Sequence, residues 1–209
     1  HDAQDDEENG VVLHLGQQGQ SHPATLCGWH AAGKRNNPRV DEVKPLTPPN
    51  VHHWEAAQGW TGLRNAKEAF AELEKIQPDF QAHPFVRSAW LDAWILGGEW
   101  DKARGMARKL VEEFPDEPGF WLHLAYATRR AESGGMELAL DVLNGVMSQF
   151  PQEWMIPYNM ACYLCQLERL DEAKPKLSVA LVIGGSAIRT SALADEDLKP
   201  LWPWVKKRR

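Results

Sequence analysis

The sequence predicts an all-α protein in which paired helices stack as an α-solenoid. Three observations support this fold class: a fixed repeat period, a helical spacing of apolar residues within each repeat, and a second apolar segment before each one. The period comes from four alanines, Ala66, Ala103, Ala139 and Ala173, which are 37, 36 and 34 residues apart. Periods in this range are typical of stacked helical repeats.

Each alanine begins the same pattern, with apolar residues four and seven positions later and a helix-ending residue twelve positions later. The four instances are Ala66-Phe70-Leu73-Pro78, Ala103-Ala107-Leu110-Pro115, Ala139-Leu143-Val146-Pro151 and Ala173-Leu177-Ala180-Gly185. Offsets of four and seven place three side chains on one face of a helix. Proline ends a helix because it lacks an N–H and restricts the residue before it. Each pattern therefore predicts one helix and its end.

A second apolar helix is predicted before each of the last three patterns. These helices run from Phe85 to Leu96, from Phe120 to Ala131 and from Met155 to Leu167. Glycine-rich or polar residues separate each of them from the alanine-containing helix that follows. The repeating unit is thus a helix, a short turn, a second helix and a proline turn.

This unit resembles the tetratricopeptide repeat (TPR) family, and the resemblance covers roughly residues 50 to 200. The most family-like stretch is Tyr158-Asn159-Met160-Ala161-Cys162-Tyr163, followed by Leu170-Asp171-Glu172-Ala173. Leu91 departs from the family, which usually has a small residue there, and Ala107 stands where a large one is usual. The resemblance implies a right-handed α-solenoid of about four helix pairs with a short C-terminal capping helix.

Three regions are expected along the chain. Residues 1–49 contain five carboxylates between Asp2 and Glu8 and five prolines in all, and they show no helical or alternating period. Such a segment buries too little apolar surface to offset the entropy of ordering, so a mostly disordered leader is predicted. Residues 50–185 form the TPR-like array. Residues 186–209 form a cap, in which Leu198, Leu201 and Trp202 fold back onto the final helix, and a basic tail.

Composition and motifs argue against several functions. The net charge of −6 is unlike the basic face of a nucleic-acid binder. The basic tail Lys206-Lys207-Arg208-Arg209 is interpreted as a solvated terminus, with a targeting or anionic-surface signal as the alternative. No apolar stretch is long enough to span a bilayer. Phosphate-loop, nucleophile-elbow and H-E-x-x-H motifs are missing, so we predict neither an enzyme nor a cofactor.

No metal site is predicted. Cys162 and Cys165 form a C-x-x-C inside a helix, without a second ligand pair at zinc spacing, and are interpreted as buried or groove-facing free thiols. His22, Cys27 and His30 likewise match no zinc pattern. Three cysteines without framework spacing favour a reducing compartment. We expect a cytoplasmic protein, with a removed upstream signal as the alternative.

The remaining candidate site is the concave surface that stacked helix pairs produce, which the first helix of each unit lines. In the TPR family this surface commonly receives a partner peptide or helix. The positions implied by the resemblance are Phe85, Ser88, Asp92, Leu122, Tyr126, Arg129, Met155, Tyr158, Cys162 and Cys165. The alternative for each residue is packing between neighbouring repeats. The family's chaperone-tail clamp needs cations that this chain lacks at the matching positions.

The sequence therefore predicts a protein-interaction scaffold or adaptor that binds an apolar peptide or helix of another protein. A small-molecule ligand is not expected. The main alternative is a chaperone for an exported or unfolded client, a role that fits an acidic chain with an apolar groove. The Pro- and Gly-rich leader argues against that alternative, because a helical dimerising extension is expected in such chaperones.

Overall fold

A computed structural model describes residues 45–208, and the regular secondary structure in this range is entirely helical, with no strand. The all-α class is therefore confirmed for this part of the chain. The predicted leader lies almost entirely outside it, as do His22, Cys27 and His30. The α-helices are α1 (Asn50–Gly62), α2 (Ala66–Leu73), α3 (Pro84–Leu96), α4 (Trp100–Glu113), α5 (Pro118–Arg130), α6 (Met136–Val146), α7 (Met155–Gln166), α8 (Leu170–Ala192) and α9 (Trp202–Lys207). Two short 3-10 helices, Pro78–Phe80 and Glu196–Leu201, complete the structure.

Local sequence signals account for where several helices begin. The side chain of Asn65 accepts a hydrogen bond from the Glu68 N–H and so caps α2. Pro84 and Pro118 occupy the first positions of α3 and α5. Proline suits this position because the N–H that it lacks would have no helical partner there. The predicted bounds of the helix at Phe85–Leu96 thus differ from α3 by a single residue.

Consecutive helices pack against one another, so that α1 lies on α2, α3 on α4, α5 on α6 and α7 on α8. Three of the four repeat alanines, Ala103, Ala139 and Ala173, are completely buried. In the first pair Ala66 is partly exposed, and Ala69 is the fully buried alanine instead. Alanine suits these buried positions because its small side chain occupies little space between paired helices.

The last long helix differs most from the prediction. The pattern Ala173-Leu177-Ala180-Gly185 predicts a helix that ends by Gly185, whereas α8 extends from Leu170 to Ala192 with a break at Gly185. Gly185 has φ +65° and ψ −149°, a conformation that a side chain disfavours. The glycine that replaces the proline of the repeat pattern therefore interrupts the helix, and about two further helical turns follow, up to Ala192.

Among residues 45–208, no single helix has the length and apolar composition needed to cross a membrane. One pair, Leu170–Ala192 with Glu196–Lys207, meets these criteria jointly but is bent by 104°. The apolar side chains Ile188, Leu198 and Leu201 of this pair are buried in the core.

Candidate functional site

Residues 195–207, here called the C-terminal segment, lie against α7. Leu198, Leu201 and Val205 each have at most 1% of their surface exposed, and they pack into the core formed by α7 and α8. The indole N–H of Trp202, which is partly exposed, donates to the Ala192 carbonyl at 3.0 Å. Leu198 and Leu201 are thus buried as expected. The segment contacts both α7 and α8.

The carboxylate of Asp195 is the centre of a buried polar cluster. Its Oδ2 accepts a hydrogen bond from the Tyr158 hydroxyl at 2.9 Å and lies 3.7 Å from the Cys162 Sγ. Its Oδ1 accepts the Asp197 N–H at 3.0 Å, which caps the second 3-10 helix. One side chain thus both starts the local helix and ties the C-terminal segment to α7.

Asp197 makes a second polar connection between the C-terminal segment and the upstream helices. Its Oδ1 accepts from the Gln166 amide at 3.1 Å, and its Oδ2 lies 3.6 Å from an Arg129 guanidinium nitrogen. Burial raises the pKa of the Asp197 carboxyl, and the Arg129 charge opposes that rise. The Arg129 guanidinium also lies over the Tyr163 ring, 5.4 Å from its centroid.

Cys162 and Cys165 are buried free thiols. Burial, reinforced by the charges of Asp195 and Asp197, raises the pKa of Cys162 well above its usual value. The same causes raise the pKa of Cys165 to about 12. Both side chains therefore remain protonated thiols at neutral pH, which removes the nucleophilic form that thiol chemistry requires.

Cys162, Asp195 and Asp197 bring three ligand-type atoms within 4.8 Å of one another, a grouping that the sequence spacing did not reveal. Sulfur and carboxylate oxygen are both acceptable zinc ligands. Here, however, the carboxylate oxygens face hydrogen-bond donors and the guanidinium of Arg129. These contacts explain the cluster as a junction between two parts of the chain.

The predicted groove residues divide into buried and partly exposed sets. Six of them have at most 7% of their surface exposed: Ser88, Asp92, Leu122, Tyr158, Cys162 and Cys165. Phe85, Tyr126, Arg129 and Met155 are partly exposed. Three of the ten, Arg129, Tyr158 and Cys162, contact the C-terminal segment. These three predicted groove residues are thus in contact with another part of the same chain.

Two aromatic clusters lie at the partly exposed positions. Phe85 stacks on Trp54 with ring centroids 5.7 Å apart, and the Trp54 indole donates to the Phe85 carbonyl at 3.1 Å. Tyr126 lies edge-on to Trp100, and the Arg130 guanidinium sits 4.0 Å from the Tyr126 ring centroid. Cation–π contacts of this kind hold a guanidinium against an aromatic surface.

Asp92 of α3 and His123 of α5 are both buried, with 3.6 Å between Oδ1 and Nε2. An ion pair would require a protonated ring, whereas burial lowers the pKa of His123 to about 4. The imidazole is therefore neutral at pH 7, because the cost of burying its charged form exceeds the attraction of the Asp92 carboxylate.

Sequence reasoning missed several residues of the site. The run Asp195-Glu196-Asp197 indicates an acidic helix start but not a buried polar cluster, and no pattern indicates a role for Gln166, Trp54 or Arg130. The alternation in Asp195-x-Asp197 followed by buried leucines is a signal for a capped segment that docks on another helix. Nothing in the sequence indicates which helix would receive it.

The chain matches no protein-family model and none of the curated proteins with which it was compared.

Proposed function

We propose that this chain is a non-enzymatic protein-interaction module, a scaffold or adaptor that holds an apolar peptide or helix of a partner protein. The binding face lies on α3, α5 and α7 and includes Phe85, Tyr126 and Met155. We further propose that the helix pairs form a right-handed TPR-like solenoid. The repeat period and the pairwise packing of consecutive helices support that arrangement.

One observation carries the proposal: part of this face already receives a short helical segment, the chain's own residues 195–207. The segment buries Leu198 and Leu201 and satisfies its acidic side chains with groups from α7. Binding a helix by its apolar side chains, with polar contacts at its start, is a general mode of peptide recognition. A surface that accepts one such segment has the chemistry to accept another.

The remainder of the face offers partly exposed aromatic side chains. Phe85 and Tyr126 are each fixed by a neighbouring ring, Trp54 and Trp100 respectively. Rigid aromatic side chains provide large contact areas at low entropic cost, which is why they dominate binding hot spots. These positions are therefore the expected anchors for a partner.

Site-specific photo-crosslinking in cells tests the proposal. A photoreactive phenylalanine analogue is placed at 85 or at 126, with matched controls at the exposed Leu63 and Leu138. The proposal predicts one dominant adduct from 85 and 126, with a partner segment identified by mass spectrometry, and none from the controls. Identical adducts from all four positions, or none from 85 and 126, would contradict it.

The same experiment separates the alternative, a chaperone for an exported or unfolded client. The apolar character of Phe85 and Tyr126 is the observation that favours this second candidate. A chaperone of that type would crosslink to one exported chain or to several unfolded chains, and only before they fold. An adaptor would crosslink to a folded partner in a stable complex.

A further inference from the structure

Residues 186–207, here called the C-terminal hairpin, are held together by their own hydrogen bonds. The Arg189 guanidinium donates to the Lys206 carbonyl at 3.3 Å. The Trp202 indole donates to the carbonyls of Ala192 and Asp195 at 3.0 and 3.2 Å. Because these bonds lie within the hairpin, its shape does not depend on which copy of α7 it docks against.

The hairpin is joined to the rest of the chain through Gly184 and Gly185, two positions that disfavour a side chain. Gly185 has φ +65° inside an otherwise helical stretch. At Gly184 an added Cβ would lie 2.0 Å from Ile188 Cγ1, so the folded-back position leaves no room for a side chain. Without the break, Leu170–Ala192 would be one straight helix that carries the hairpin away from its own α7.

Apolar side chains are exposed next to this joint. Val182 has 84% of its surface exposed and Val179 has 37%. Residues three apart lie on one side of a helix, so the two valines form a short apolar stripe. If α8 were straight, a twofold axis could bring the stripe of one copy against the same stripe of a second copy.

We propose that two copies of this chain exchange their C-terminal hairpins and so form a dimer. In the dimer α8 is straight through Gly184 and Gly185, each hairpin docks on the partner's α7, and the two Val179–Val182 stripes pack together. Asp195 and Asp197 then contact the same residues as in the monomer, Tyr158, Gln166 and Arg129, but in the partner copy. The monomer–dimer equilibrium therefore depends only on the conformation of Gly184 and Gly185, on the new contact between the two stripes and on the protein concentration. This proposal does not depend on any other partner.

The double substitution Gly184→Ala with Gly185→Ala in the full chain tests the proposal. Alanine in a helix is favoured over glycine by about fivefold per residue. Each dimer contains four substituted residues, so the dimer dissociation constant, measured by size-exclusion chromatography with light scattering, should fall by about 600-fold. The matched control is Gly105→Ala with Gly145→Ala, since an added Cβ at either of these helical glycines meets nothing within 4 Å. The control should leave the dissociation constant unchanged.

Thiol reactivity distinguishes exchange from detachment. In a Cys27→Ser background, Cys162 and Cys165 stay covered in an exchanged dimer and should react with Ellman's reagent at the parent's rate. The proposal would be overturned if the Gly184→Ala, Gly185→Ala variant were monomeric, or if it formed a dimer whose thiols react rapidly. If the double variant does not fold, the proposal is tested by measuring the dimer fraction of the unsubstituted chain by analytical ultracentrifugation. Its dimer fraction should rise with concentration and fall with Val182→Lys, and a parent monomeric at all concentrations would overturn the proposal.

Discussion

The hydrogen bond between Tyr158 and Asp195 should contribute measurably to the stability of the chain. It joins α7 to the C-terminal segment at 2.9 Å, and both residues are at most 6% exposed. Tyr158→Phe removes the hydroxyl and leaves a buried carboxylate oxygen with one donor fewer. Hydrogen bonds to charged groups contribute about 1.5–3 kcal/mol. We expect the free energy of unfolding to fall by about that amount.

A double-mutant cycle isolates this bond from other effects. Asp195→Ala alone also removes the helix cap provided to the Asp197 N–H, which adds about 1 kcal/mol to its cost. In the Asp195→Ala background, Tyr158→Phe should have little further effect. Urea denaturation of the four chains then gives a coupling energy of at least about 1 kcal/mol. Additive effects would refute the conclusion that this contact anchors the segment.

Three further predictions concern the core, the turns and pH. Leu198→Ala, at a completely buried site, should lower the free energy of unfolding by about 2–5 kcal/mol, whereas Leu63→Ala, at 72% exposure, should change it by less than about 0.5 kcal/mol in the same urea titration. Gly134→Ala should lower the melting temperature by several degrees because its Cβ would lie 1.8 Å from a backbone carbonyl oxygen; an unchanged melting temperature would contradict the geometry of that turn. Stability should also fall as pH rises above about 9, by about 1.4 kcal/mol per pH unit for each of Cys162 and Cys165, because their raised pKa values let only the unfolded chain lose these protons. Urea titrations at about pH 8 and about pH 10 measure this slope, and replacing both cysteines with alanine should remove that contribution.

The helices could be predicted from the sequence because their signals are local. The apolar segments bounded by glycine-rich or polar residues gave α3 and α7 to within one residue at each end. The first pair was predicted less well, since Ala66 matches the repeat pattern but Ala69 takes the buried position. Here the period identified the helix, while the contacts of neighbouring helices determined the orientation of its side chains.

The candidate site could be predicted only in part. Tyr158 and Cys162 were assigned to a surface for a partner, and in the structure they contact Asp195 of the same chain. The apolar residues of the cap were recognisable, but their position depends on the break at Gly185 and on the 104° bend between α8 and the C-terminal segment. The sequence pattern does not specify the size or direction of that bend.

The central claim is that the face around α7 binds a short helical segment. The most direct measurement is fluorescence anisotropy of a labelled peptide with the sequence of residues 193–208. The receiving protein is the full chain carrying Leu198→Asp and Leu201→Asp, which disable its own segment, with its helicity verified by circular dichroism. The account predicts saturable binding to this variant, little binding to the parent, and none by a peptide with the same two substitutions. Absence of binding to the variant, or equal binding to the parent, would contradict it.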